Sequence, residues 1–65
     1  MKIAVGSIWK CTDENYPAYG QTCVVKEVFE HPDFNGDGEI EVEYQDKTTV
    51  DMKVRRFCMR HEILN

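Results

Sequence analysis

The chain has 65 residues, a net charge of −4, 42% hydrophobic residues and three cysteines. A chain this short makes one domain, residues 1–65, that buries only about 60% of the surface its unfolded form exposes, which leaves little room for a catalytic constellation and favours a non-enzymatic module without a cofactor. An odd cysteine count excludes a complete disulfide framework, and no apolar run reaches signal-peptide or membrane-spanning length, so a reducing cytoplasm is the expected compartment.

Charge is partitioned along the chain: residues 1–29 sum to zero, residues 30–51 to −7 and residues 52–65 to +3. A fold that keeps these segments apart carries opposite patches. The elements read as strands. IAVGSIWK gives a turn at Gly6-Ser7 and then a first strand through Ile8 and Trp9. CTDENYPAYGQ is a polar loop with Pro17 and Gly20, and TCVVKEVFE is rich in Val and Phe but breaks strict alternation at Val24-Val25, which predicts a strand with a bulge.

DFNGDGEIE then places Asp33, Asn35, Asp37 and Gly38 at the first, third, fifth and sixth positions of an EF-hand-type calcium loop. The twelfth position, where a bidentate glutamate belongs, is Tyr44, and Pro32 and β-type residues replace the entering helix. Asn35-Gly36 and Asp37-Gly38 supply what a strand-joining loop needs, so a turn is preferred to a weak cation site at Asp33, Asn35 and Asp37.

EIEVEY alternates Ile40, Val42 and Tyr44 on one face with Glu39, Glu41 and Glu43 on the other, and TVDMKV repeats the pattern with Val50, Met52 and Val54 inward. Both inward sets have even numbers, so the hairpin between them requires an odd loop. The preferred register sets Tyr44 against Val50, Val42 against Met52 and Ile40 against Val54, because it opposes Glu41 with Lys53 and Glu39 with Arg55, pairs worth about 0.2–1 kcal/mol each. It also sets Glu43 against Asp51, a like-charge pair that a partner's basic group would relieve. The alternative, shifted by two, opposes Glu41 with Asp51. VRRFCMRHEILN has Val54, Phe57 and Cys58 at helical spacing, then alternation at Met59, His61 and Ile63: one helical turn and a closing strand.

About five short antiparallel strands, with one helical turn near the C-terminus, give an all-β plan of the small SH3-like barrel kind. The details resemble the small SH3-like proteins of bacteriophages and prophages in a GxxW opening (Gly6, Trp9), a VV strand (Val24, Val25), a central VxY strand (Val42, Tyr44) and an FxxxxE segment (Phe57, Glu62). The resemblance implies a viral accessory or inhibitor protein acting in the host cytoplasm. The ALYDY opening of proline-peptide-binding SH3 domains is absent.

The surfaces expected to bind another protein, one with a basic surface, are the acidic strand pair (Glu39, Glu41, Glu43, Asp51) and the loop aromatics Tyr16 and Tyr19, with Asp13 and Glu14 beside them. Either both tyrosines form an exposed platform or one packs over the end of the fold. The alternative partner is nucleic acid, contacted by Lys53, Arg55, Arg56 and Arg60; the −7 central segment opposes it. Cys11, Cys23, Cys58 and His61 contain one CxxH pair, but the spacing is poor for zinc and buried apolar cysteines are expected. Trp9 and Phe29 read as core. His31 and His61 read as solvated side chains.

Overall fold

The structure is a computed structural model that describes residues 3–29 and 38–65. Its elements are β1 (Ile8–Cys11), β2 (Thr22–Phe29), β3 (Glu39–Tyr44), β4 (Thr49–Lys53), α1 (Val54–Arg60) and β5 (His61–Ile63). The five strands form one antiparallel sheet in the order β4-β3-β2-β1-β5, so the fold is mostly β with one short helix. β4 and β5 are its two edges, and the sheet is not closed by pairing between them.

One side of each strand supplies the core: Trp9 and Cys11 from β1, Cys23 and Val25 from β2, Ile40, Val42 and Tyr44 from β3, and Met52 from β4. Phe29, expected inside, is on the outer side and 36% exposed. The reason is a bulge. Val25 pairs with Val42, but the next pairing is Glu27 with Glu41, so Lys26 is the extra residue. In a continuous ladder through Lys26, Glu27 would follow Cys23 and Val25 inward. With the bulge Val28 packs on the core and Glu27 and Phe29 point away. The irregularity predicted at Val24-Val25 therefore exists, one residue further along.

The β3–β4 register differs from the preferred one. Ile40 faces Met52, Val42 faces Val50, Glu41 faces Asp51 and Glu39 faces Lys53. Turn geometry overrides the charge pairing that favoured the other register. The Tyr44 N–H donates to the Thr48 carbonyl (2.9 Å) and the Lys47 N–H to the Tyr44 carbonyl (2.9 Å), enclosing Gln45, Asp46 and Lys47 as a three-residue loop. Such a loop ends on a left-handed residue, and Lys47 takes that place with φ 73°. The Asp46 carboxylate accepts the Thr48 N–H at 3.0 Å, which holds the turn and lowers the Asp46 pKa.

β4 ends at Lys53, so Val54 opens the helix rather than facing Ile40. Seven residues are too few for a helix to persist alone, and α1 lacks a side-chain N-cap. It is held by Val54 and Phe57, both fully buried; the Phe57 side chain alone contributes about 1.5–3 kcal/mol of burial. The Trp9 ring meets Phe57 edge-on, centroids 4.8 Å apart, and the Trp9 indole N–H donates to the Ser7 hydroxyl at 2.9 Å. No helix among the described residues is long and apolar enough to cross a membrane.

Replacing Lys47 by glycine removes the steric cost of the left-handed conformation, partly offset by greater unfolded-state entropy, so stability should rise by about 0.5–1 kcal/mol. Lys47→Val should lower it. Urea midpoints measure both; a glycine variant no more stable than the parent would contradict the turn assignment.

Candidate interaction surfaces

The bulge and the turn together fix what the outer side of the sheet presents. Glu27 of β2 faces Glu41 of β3, and Glu41 faces Asp51 of β4, so three carboxylates form a row across three strands. Like charges directly opposite one another are destabilising in a sheet. The neighbouring carboxylates are answered: Glu43 by Lys26 at 3.6 Å and Glu39 by Lys53 at 3.8 Å. Among the described residues no ion pair reaches Glu27, Glu41 or Asp51. Of the residues expected to bind a partner, Glu39, Glu41, Glu43 and Asp51 thus share one face; Glu27 joins them, and only the bulge reveals it.

Tyr16 and Tyr19 separate. Tyr19 is 55% exposed, whereas Tyr16 is half-buried and packs on the core. The Arg60 guanidinium lies over the Tyr16 ring, 4.6 Å from its centroid, and Arg60 Nε is 3.6 Å from Asp13 Oδ2. The loop before β2 is therefore fastened to the end of α1. Its far end is fastened to the β3–β4 turn, because the Gln45 side-chain oxygen accepts the Thr22 N–H (3.0 Å) and Gln21 bonds Asp46. Between these fastenings lies a hollow of about 260 Å³ lined by Tyr16, Pro17, Tyr44 and Val50.

His61 is buried, not solvated, which corrects the expectation. Alternation places it on the core side of β5 although charged residues flank it. Its Nδ1–H donates to the Phe57 carbonyl (2.9 Å), closing the last turn of α1, so Nε2 is left to accept the Tyr44 O–H at 2.7 Å. The Tyr16 ring meets the His61 ring edge-on, with centroids 6.3 Å apart. The His61 ring stacks on Phe57 with centroids 4.3 Å apart. Burial lowers the His61 pKa, and the nearby Arg60 adds to this, while the Phe57 carbonyl and Asp13 oppose it. The Tyr44 hydroxyl is raised far above its ordinary range, chiefly by burial.

These groups form a structural clamp that joins β3, α1 and β5. Both His61 nitrogens are engaged, and burial together with the nearby Cys11 pushes the Cys23 thiol up to about 12. Burial also raises Cys58. A raised pKa keeps Cys23 and Cys58 in the thiol form at neutral pH. Among the described residues no group of three or more His, Cys, Asp or Glu side chains is placed to hold a metal ion. His31, Asp33, Phe34, Asn35 and Asp37 lie outside the described residues.

The basic residues are only partly gathered. Arg55, Arg56, Met59 and Arg60 border a shallow hollow of about 420 Å³ beside Asp13. Lys53 and Arg60 are already paired, with Glu39 and Asp13 respectively. Compared with known proteins, the chain matches no family model, no curated protein and no solved structure.

Because its pKa is lowered on folding, His61 favours the unfolded state as it gains a proton: its contribution is full above about pH 6.5 and is lost as pH falls below that value towards the folded pKa. Urea unfolding at pH 5 and pH 8 should show a loss on acidification that His61→Gln reduces. Equal losses in the two proteins would contradict the clamp. Tyr44→Phe should cost about 1–3 kcal/mol at neutral pH, since it strands the His61 acceptor.

Proposed function

We propose that this protein is a non-enzymatic, SH3-like module that binds a protein with a basic surface through the carboxylates of β2, β3 and β4. The observation that carries the reading is the row Glu27, Glu41 and Asp51, three facing carboxylates with no ion pair among the described residues, while Glu39 and Glu43 beside them are each bridged to a lysine. A sheet selected for stability alone would alternate signs along such a row, and stability given up locally is characteristic of a binding surface. The strand order, with one short helix leading from the β4 edge to β5, supports the SH3-like reading.

The engaged His61 nitrogens and the raised cysteine pKa values support a binding role over catalysis. The tyrosine loop contributes through the exposed Tyr19, with Tyr16 anchoring it from beneath. A carboxylate row of this kind fits an accessory or inhibitor role in which the module occupies a basic, nucleic-acid-binding site on a host factor in the cytoplasm, as the phage-type resemblance implies. Nucleic acid itself is the less favoured partner, because two of the four basic residues that would contact phosphate are paired with carboxylates.

Two measurements test this. Glu41→Lys should raise stability at low salt by about 0.4–2 kcal/mol, because it converts two like-charge pairs into two opposite-charge pairs, and the gain should shrink as salt rises. A loss of stability would contradict the strain argument. In a pull-down from host lysate, Glu41→Lys with Asp51→Lys should abolish capture of the partner while Arg55→Glu with Arg56→Glu preserves it. The opposite pattern, accompanied by salt-dependent binding of labelled RNA or DNA, would replace the proposal with nucleic-acid binding.

A further inference from the structure

The outer side of the sheet holds a second, apolar row that the charge pattern leaves unexplained. The Leu64 N–H donates to the Ile8 carbonyl at 2.8 Å, Ile8 faces Val24, and Val24 faces Glu43. Leu64 and Ile8 are 56% and 37% exposed and Val24 is half-buried. Next to them Lys10 stands between Thr22 and Glu62, so opposite charges cancel there. The face is therefore divided, with aliphatic side chains over the β5, β1 and β2 side and carboxylates over the β2, β3 and β4 side.

We infer that this divided face docks a basic amphipathic helix, whose apolar side chains sit on Leu64, Ile8 and Val24 and whose lysines or arginines reach Glu27, Glu41 and Asp51. The inference rests on the protein-binding reading above and adds the chemistry of the partner. Charge complementarity selects the occupant: the outer side of β2, β3 and β4 carries Glu27, Glu39, Glu41, Glu43 and Asp51 against Lys26 and Lys53, which repels phosphate and anionic lipid and attracts a cationic segment. Aliphatic surface beside it rewards a partner that is more than a polycation. Size agrees as well. Five strands at about 4.8 Å spacing span roughly 19 Å, the length of about 13 helical residues.

The test uses a synthetic helical peptide of about 14 residues, leucines on one face of its first two turns and lysines in its last two, titrated into the ¹⁵N-labelled protein. Two control peptides carry serine for leucine and glutamine for lysine. The amide signals of residues 8, 24 and 64 should move together with those of residues 27, 41 and 51, and both controls should bind at least about tenfold more weakly. Ile8→Ser with Leu64→Ser should weaken the parent peptide by a similar factor; the amide spectrum of that variant reports its folding, and Ile8→Thr with Leu64→Ser, which keeps strand propensity, replaces it if the first unfolds. Glu41→Lys with Asp51→Lys should weaken binding and remove its salt dependence. If the serine peptide binds as well as the parent, or the aliphatic substitutions change nothing, the carboxylates act alone: the inference falls and the acidic-face reading stands. If the parent peptide does not bind, or its shifts map elsewhere, the inference falls; if no basic peptide reaches the face at all, the acidic-face reading falls with it.

Discussion

One extra residue in β2 decides what this sheet shows to its surroundings. With Lys26 bulged out, the strand changes faces between Val25 and Glu27, Val28 takes an inward place opposite Ile40, and Glu27 is delivered to the outer side opposite Glu41. Keeping a carboxylate out of the core explains why the chain accepts the irregularity, since a continuous ladder would turn Glu27 inward behind Cys23 and Val25, and an unpaired buried carboxylate costs several kcal/mol. The same device that protects the core thus builds an acidic row outside it. The β3–β4 turn completes the row by setting Glu41 against Asp51.

The interior is fastened by a polar clamp at the opposite side of the sheet from those carboxylates. His61 closes the final turn of α1, receives the Tyr44 hydroxyl and stacks on Phe57, so β5, α1 and β3 meet at one imidazole. The Tyr16 ring, edge-on to His61, adds the long loop to that assembly, and Arg60 with Asp13 locks the loop from outside. A chain of this size buries too little apolar surface to hold loop, helix and edge strand by packing alone, and satisfied buried hydrogen bonds supply definition that a small core lacks. Consequently the outer face can carry charge that destabilises it locally without the architecture failing.

Much of this was legible in the residues. Strict alternation in EIEVEY and TVDMKV assigned two strands and their inward faces, one residue too far at Val54, which opens the helix that the Val54 and Phe57 spacing located. The broken alternation of TCVVKEVFE signalled a bulge but not its position, because Val24, Val25 and Val28 offer two apolar continuations and only pairing with β3 selects one. The register was misjudged for a physical reason: cross-strand charge pairs are worth tenths of a kcal/mol, while the three-residue turn, closed by two backbone hydrogen bonds and the Asp46 carboxylate, constrains the whole hairpin. Lysine at the left-handed position gave no glycine signal. The burial of His61 was hidden by Arg60 and Glu62, although its alternation with Ile63 pointed inward, and nothing local could disclose that its partner would be Tyr44, seventeen residues earlier.

The composition of the outer face is set by strand pairing, and the most direct check is a set of cross-strand nuclear Overhauser contacts in the labelled protein. The expected contacts pair Glu27 with Glu41, Val28 with Ile40, and Glu41 with Asp51. Contacts pairing Glu43 with Asp51 and Glu41 with Lys53, or a β2–β3 ladder that runs through Lys26 without interruption, would contradict this pairing.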